Sequence, residues 1–504
     1  MYSSIRIASR KSPLARIQSY LVARAIRRIR QEKPIEYYFR ETVGDKDQVT
    51  PLAEMKDRGI FTKDFKDDLL SDKVDIVVHS WKDVETEESS ETEIISVLGR
   101  ADQRDILLFK KEHFLNPPEK LVIMSSSPRR EYNLKKFFSE YLPEKLLNKE
   151  IIFEPVRGNL RTRARKWQDG TASGIVFAKA GIDRILIERF NESGDEELKL
   201  ERDFFHSLLN DCLFLVLPLS SNPNAPAQGG IAVEIRKGRD DLRTFLKKMT
   251  IKNVDNCIRG EREELMKYGG GCHQKIGVSI LQRDYGTVMI LKGETDDGKT
   301  LDSKKLFRIH SPKTSDLSGI WPLRNEGFHF SREYIPGFEK PPEGNLLVTR
   351  MNAWQDHWKY EDCKGVIWTA GVKTMKELCK KNIWVSGTLD ALGEDEHPSL
   401  EHILPNPDFI KLTHDRSKEI ESVYEKCYTY ILKLEEPLPD LRNKTHFFWM
   451  SAYQFDLALE HFPEIADKDH SSGPGITRIH IENRLNRKID VFLSYEEWLE
   501  YHST

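Results

Sequence analysis

Cysteine is scarce in this chain, with six residues among 504, at positions 212, 257, 272, 363, 379 and 427. No two form a CxxC pair and no histidine stands at ligand spacing from any of them, which excludes a zinc finger or ribbon and points to no metal site. Thiols this dispersed also exclude a disulfide framework. Long apolar runs are missing too, and nothing approaches the ~20 residues that span a bilayer. The opening MYSSIRIASRKSPLARIQ lacks the apolar centre of a secretory signal, so a cytoplasmic protein without a membrane partner is expected. Excess charge of either sign is absent: 78 Lys and Arg against 81 Asp and Glu leave a net charge of -3, which gives no reason to expect nucleic acid as a partner. Nor is there a P-loop or a GxGxxG fingerprint for a nucleotide.

What is present is a soluble composition on a chain long enough for roughly three or four domains. Strands are expected at 4–8 and 36–43 around a helix at 12–31. A helix at 63–70 leads into VDIVVHS, 74–80, a continuous apolar run typical of a strand buried on both faces. Further strands are expected at 120–124 and 174–178, and the alternation argues for α/β lobes. A helix at 256–268 followed by strands at 275–281, 288–292 and 305–310 reads as a small α+β unit. PGFEKPPEGN closes a stretch without period and reads as a linker. A second α/β region follows, with strands at 346–349, 365–368, 409–413 and 446–450 and helices at 371–381, 416–433 and 452–461.

Chemistry gathers at the carboxyl ends of these strands, where open sheets bind ligands and helix starts favour anions. IASRKSPLA sets Arg10 and Ser12 there; a plain N-cap with Pro13 at the first helical position is the competing explanation. HSWKDVE sets Lys82 and Asp83 after the buried strand. An aspartate there suits proton movement or a developing cation, although a structural Lys-Asp pair is as good a reading. MSSSPRRE offers Ser126, Ser127, Arg129 and Arg130 at a helix start, and RGNLRTRARKW offers Arg157 and Arg163. Arginine grips carboxylates bidentately, so cationic sites at several strand ends suggest a ligand with many carboxylates, a phosphate ligand being the open alternative. YGGGCHQKIG places Cys272 behind three glycines. Gly269 suits the left-handed residue that ends a helix, leaving two glycines and a thiol to be explained.

The segments IASRKSPLA, VGD, GIFTKDFKDDLL, VDIVVHSWKDV, RADQRD, SSSPRR, RGNLRTR, AGIDRI and GGGCHQKIG stand in the order and spacing of hydroxymethylbilane synthase, also called porphobilinogen deaminase, and residues 4–310 resemble that family. The resemblance implies two lobes like those of periplasmic binding proteins, with the chain crossing between them twice, and a small α+β domain carrying a cysteine. The implied boundaries are 1–96 with 198–239 for the first lobe, 97–197 for the second and 240–320 for the small domain. It also implies a dipyrromethane cofactor on the Cys272 sulfur, extended by four porphobilinogen units with loss of ammonia to a linear tetrapyrrole. Asp83 matches the catalytic aspartate that stabilises a positively charged intermediate. Arg10, Ser12, Lys82, Ser126, Ser127, Arg129, Arg130, Arg157, Arg163 and Arg184 match positions that bind acetate and propionate groups. Phe61 and Lys63 fall in a mobile loop over the cleft. The chain departs from the family pattern at KDRGIF, with Arg58 at the basic position, at MSSSPRR with Pro128 in the turn, and at APAQGGIAVE after SSNPN.

After a linker at 321–344, residues 345–504 form a separate α/β domain. NLLVTR, VIWTAGVKTMKEL, HFFWMSA and GPGITRIHIENRLNRKIDVFLSYEEWLEY resemble parts of uroporphyrinogen-III synthase, whose two lobes cyclise the linear tetrapyrrole, though the region is shorter than a typical member. Thr369, Thr374, Ser451 and Thr477 are the candidate cleft residues, helix capping being the competing explanation. The whole reads as a monomeric bifunctional enzyme. Two alternatives remain: a deaminase with a purely structural carboxyl-terminal domain, and a non-catalytic binder of carboxylate ligands, which would need neither Asp83 nor Cys272.

Overall fold

The computed structural model describes residues 4–29, 34–41, 63–87, 89–187, 194–270, 274–308, 310, 317–324, 326–394, 397–435 and 437–503. Arg58, Phe61 and Cys272 lie outside the described residues, as does the side chain of Lys63. The first lobe begins with strands β1 (Ile5–Arg10), β2 (Ile35–Arg40), β3 (Ile76–Ser80) and β4 (Thr92–Val97). The chain then crosses to a second lobe with β5 (Asp105–Lys110), β6 (Lys120–Met124), β7 (Glu150–Glu154), β8 (Gly174–Ala178) and β9 (Cys212–Val216), and returns with β10 (Ile231–Arg236). The sheet orders are β2-β1-β3-β10-β4 and β7-β6-β8-β5-β9. In each lobe a parallel set is extended by antiparallel strands that carry the crossing chain. The return crossing therefore falls at 217–230. The expected boundary near 198 is too early, because β9 pairs with β5 and stays in the second lobe.

Local sequence explains the elements that position the chemistry. Ile76, Val77 and Val78 of β3 are buried, as their unbroken apolar run requires of a central strand. Pro13 opens the helix Pro13–Ile29, which lays Val22 and Ile26 on the sheet and turns Ile17 to the core of the second lobe. A third unit follows: the helix Lys252–Met266 packs on an antiparallel sheet of β11 (Gly277–Arg283), β12 (Gly286–Glu294) and β13 (Thr300–Phe307). The last strand starts five residues earlier than expected because Gly298 turns the chain after Glu294.

The carboxyl-terminal region holds two further sheets. Its strands are β14 (Ile320–Trp321), β15 (His329–Tyr334), β16 (Asn345–Val348), β17 (Ile367–Thr369), β18 (Gly387–Thr388), β19 (Phe409–His414), β20 (Glu425–Glu435), β21 (His446–Trp449), β22 (Asp469–Ser472) and β23 (Asp490–Val491). They assemble as β15-β20-β19-β16-β17-β18 and β14-β21-β22-β23. Residues 321–344, expected as a linker, thus complete both sheets, with Trp321 beside Phe447 and β15 along β20. The helix expected at 416–433 is absent, and the second half of that span is a strand. EKCYTYILKLE is rich in residues that favour strands, and β20 is hydrogen-bonded on one edge to β19 and on the other to β15.

This region is not a loosely tethered domain. Strands β9 and β18 are the outer strands of their sheets, and the Val216 N–H donates to the Ser386 carbonyl at 2.8 Å, joining edge to edge. The Trp384 indole donates to the Phe214 carbonyl at 2.9 Å and its ring packs on Phe109 and Phe114. Phe109, Phe114, Trp354, Trp358 and Trp384 share one buried cluster. Tyr285 of the small domain donates to the Leu392 carbonyl at 2.9 Å, and Arg478 pairs with Asp284 at 2.7 Å. Among the described residues no helix is long and apolar enough to cross a membrane.

Candidate active site

Past the carboxyl end of β3 the chain makes one short helical turn, Trp81–Asp83. Trp81 is buried, donates its N–H to the Gly230 carbonyl at 3.1 Å, and has the guanidinium groups of Arg259 and Arg262 over its ring at 5.3 and 5.8 Å. That anchor fixes the turn and leaves Asp83 exposed. Lys82 donates to Gln228 Oε1 at 3.3 Å. Loss of hydration lowers the Lys82 pKa; Asp83 opposes that shift, and Arg130 adds to it. Arg10 and Ser12 stand half-buried at the end of β1, the strand adjoining β3, and the Ser12 carbonyl receives the Arg16 N–H at 3.1 Å.

The second lobe supplies the opposing groups. The Ser126 hydroxyl donates to the Val156 carbonyl at 2.7 Å and accepts the Val156 N–H at 2.8 Å, tying two strand ends together. Ser127 caps the helix Pro128–Tyr141, its hydroxyl oxygen facing the Arg130 N–H. Both arginines that follow meet a carboxylate the sequence reading did not single out. Asp105, wholly buried, accepts Arg129 Nη2 at 2.8 Å and Arg130 Nη2 at 2.7 Å, with Asn222 and Gln228 donating to the same carboxylate at 2.9 and 2.8 Å. Burial opposes ionisation of Asp105, yet Arg130 and Arg129 outweigh it and hold the carboxyl far below the usual range.

Arg129 departs furthest from expectation. Its Nη1 also reaches Asn222 Oδ1 at 3.1 Å and the Pro223 carbonyl at 2.5 Å, so it ties the second lobe to the crossing chain. Arg184 likewise turns to the crossing, donating to the Gly229 carbonyl at 2.5 Å; burial lowers its pKa to about 10, against the pull of Asp183. Gly229 has φ +84°, and a Cβ there would collide with the Ala101 carbonyl, so the crossing needs glycine at this point. Arg163 lies over the Phe177 ring at 5.1 Å; loss of hydration and then Arg130, opposed by Asp83, together lower its pKa to about 10. Lys82, Asp83, Arg130 and Arg163 are therefore within electrostatic reach of one another across the two lobes. Arg157 is half-buried on the loop before the helix Leu160–Asp169, where its carbonyl takes Lys166 Nζ at 3.1 Å.

The small domain approaches this cluster through the flanks of its glycine run. Helix Lys252–Met266 ends ahead of Gly269 at φ +92°, in line with the expected stop. Gly270 passes so close to Thr86, three residues beyond Asp83, that a Cβ would lie 2.9 Å from its hydroxyl oxygen. On the far side of the undescribed residues 271–273, Lys275 Nζ stands 5.8 Å from the Tyr132 ring of the second lobe. The two flanks thus touch opposite lobes. A flat polycarboxylate suits the donors here: Nε of Arg130 and of Arg163 are buried without a hydrogen-bond partner among the described residues.

Sequence reasoning passed over three further groups. Arg100 forms a two-point pair with Glu261 at 2.8 and 2.7 Å, and Glu261 also accepts the Ala227 N–H, coupling the small domain to both crossings. Gln228 joins Lys82 to Asp105. RADQRD and AQGG were the visible signals for Arg100, Asp105 and Gln228, since charged and glycine residues adjoin buried strands in both.

In the carboxyl-terminal region three of the four candidate hydroxyls serve the backbone. Thr369 donates to the Gly371 carbonyl at 3.2 Å, Thr374 to the Thr349 carbonyl at 3.3 Å, and Ser451 caps the helix Ala452–His461; Thr477 is half-buried on the helix Ile476–Leu485. A different group spans the two sheets. Arg350, beyond β16, reaches the Met450 carbonyl beyond β21 at 3.5 Å, and the His414 ring lies 6.5 Å from Tyr453 on the helix of the other sheet. His414 Nδ1 is buried without a hydrogen-bond partner among the described residues. Desolvation, then Arg350, lower the His414 pKa to about 4, with Lys411 and Arg332 acting in the same direction.

Residues 5–244 match the family model described as the porphobilinogen deaminase, dipyromethane cofactor binding domain. A porphobilinogen deaminase of Clostridium novyi is 32% identical over 300 residues, covering 59% of this chain and 90% of the relative. One from Desulfitobacterium hafniense is 31% identical over 308 residues, covering 61% and 88%. Among solved structures, the substrate-binding protein of an amino acid ABC transporter is 13% identical with a TM-score of 0.25, covering 52% of this chain and 97% of that one; the lobe architecture rests on the sheet orders above.

Proposed function

The chain belongs to the porphobilinogen deaminase family, and from that premise we propose that it makes hydroxymethylbilane from four porphobilinogen molecules, with the dipyrromethane group held on the Cys272 sulfur. That group, when bound, supplies the nucleophilic pyrrole carbon. Asp83 stabilises the cation left on porphobilinogen as ammonia departs, and its exposure beside half-buried Lys82 suits a carboxylate that must reach a substrate. Arg163 and Arg130 receive ring carboxylates from the other lobe, with Arg10 and Ser12 serving the first. Arg129 and Arg184 hold the crossing strands in place. What supports this reading is that Asp83 and Lys82 of the first lobe stand within electrostatic reach of Arg130 and Arg163 of the second, with Gly270 against Thr86, three residues beyond Asp83. Intact-mass measurement of the active enzyme should show a two-pyrrole adduct that is absent from Cys272→Ser; active protein of unmodified mass would refute it.

The carboxyl-terminal region we assign to cyclisation of that product to uroporphyrinogen III. Arg350 and Arg332 near the His414 ring, which faces Tyr453 of the other sheet, form a cationic inter-sheet site for a carboxylate-bearing chain, Asp415 being the acidic neighbour and Lys411 already paired with Glu394. Attachment to the deaminase raises the effective concentration of an unstable intermediate. The purified full-length chain, supplied with porphobilinogen alone, should yield isomer III in excess. Isomer I alone would leave this region a structural one.

A further inference from the structure

A cavity of about 720 Å³ runs between the length of the helix Pro128–Tyr141 and the strands β12 and β13 of the small domain, starting beside the cluster above at Pro128, Tyr132 and Lys275 and extending away from it to Tyr141. Its volume is that of a small-molecule site. Asn133, 6% exposed, lines it, and its Nδ2 is buried without a hydrogen-bond partner among the described residues. A donor so placed calls for an acceptor. The lining carboxylates are already neutralised: Glu131 by Lys135 at 2.7 Å, Asp302 by Lys292 at 3.1 Å, and Glu140 by Lys376 of the carboxyl-terminal region at 2.9 Å. Lys136, which also lines it, pairs with no carboxylate among the described residues. The wall adds flat apolar surface, the Phe137 and Tyr141 rings stacking at 4.9 Å and Tyr132 facing Lys275.

Net positive charge, an unanswered amide donor and aromatic faces select an anion with a planar body. We propose that this cavity is a second binding site, for a pyrrole carboxylate, distinct from the cofactor cleft. The ligand class rests on the deaminase reading and not on cyclisation. Because the walls come from the second lobe and the small domain, an occupant fixes those two units together, behind the helix whose first turn carries Arg129 and Arg130.

The ligand could be the monomeric substrate or a macrocyclic product, and two probes separate them. Full-length holoenzyme is titrated with porphobilinogen, in an Asp83→Asn background to prevent turnover, and with uroporphyrin I. Lys136→Glu and Asn133→Leu should each weaken one probe about tenfold or more, while Lys199→Glu, an exposed lysine elsewhere, leaves it unchanged. Lys136 is exposed, so its variant folds, and its rate of porphobilinogen consumption should equal that of the parent. Equal affinity of both probes for the parent and Lys136→Glu, or no binding of either outside the cofactor cleft, overturns the proposal. The isomer assay is independent of this outcome.

Discussion

Asp105, at the start of β5, and Arg130, in the first turn of the helix Pro128–Tyr141, are joined at 2.7 Å inside the second lobe. Arg129 shares the carboxylate, so one buried anion holds two cations and, through Asn222 and Gln228, the returning chain. The mouth of the cofactor cleft is therefore built around a charge that no substrate needs to touch.

Replacing Asp105 by Asn should cost about 3–5 kcal/mol of stability, the usual penalty for stranding buried cations. Denaturant unfolding of the two proteins measures it. The pH dependence has a defined sign. The native Asp105 pKa is depressed, so its contribution is complete above the unfolded value near pH ~4 and is lost as pH falls toward the native one. The Asn variant should lack that part of the acid slope.

Arg262 positions rather than reacts. Its guanidinium donates to the Val84 carbonyl at 3.1 Å and to the Glu85 carbonyl, so the helix leading to Cys272 is fastened to the turn that carries Asp83. Arg262→Met should lower kcat roughly 10- to 100-fold, as a small loss of register does. KM should change little and Arg262→Lys should recover part of the loss. An unchanged kcat would show that the two segments keep register by other contacts.

Local sequence carries the placement of the site and little of its wiring. Continuous apolar runs such as 74–80, closed by polar residues, mark strand ends, so Lys82, Asp83, Ser126 and Ser127 could be set there before any contact was known. The partner of Arg129 lies 24 residues away in sequence, at Asp105, and no periodicity signals that pairing. The same holds for β20, whose strand state depends on β15 and β19 flanking it, and for the residues at 321–344, whose pairing partners lie beyond position 428. His414 and Arg350 went unnoticed because one ends and the other follows an ordinary strand, and only the approach of a second sheet makes a site of them.

Trp384 tests whether the carboxyl-terminal region depends on its seat. Trp384→Ala removes the ring between Phe109 and Phe114 and the bond to the Phe214 carbonyl, and should cost about 3–5 kcal/mol. Limited proteolysis should then cut near residues 384–388, where the parent is protected by the β9–β18 edge. Protection equal to the parent would mean that the remaining contacts, such as Arg478 with Asp284, suffice.

His470 gives the second carboxyl-terminal sheet an acid limit. Its Nδ1 accepts the Trp449 indole N–H at 2.9 Å, and its Nε2 faces the Ile465 carbonyl at 2.9 Å, so the neutral ring fills both roles and a second proton would break the first. Burial lowers the pKa to about 4. Above the unfolded value, near pH ~6.5, both states are neutral and the contribution is complete. As pH falls the unfolded chain takes the proton first, so stability declines until about 4 and then levels, by at most about 3 kcal/mol. Thermal unfolding across this range should show a shallower decline for His470→Gln, whose amide oxygen can still receive the indole, than for the parent. Identical slopes would mean that the His470 ring exchanges its proton alike in both states.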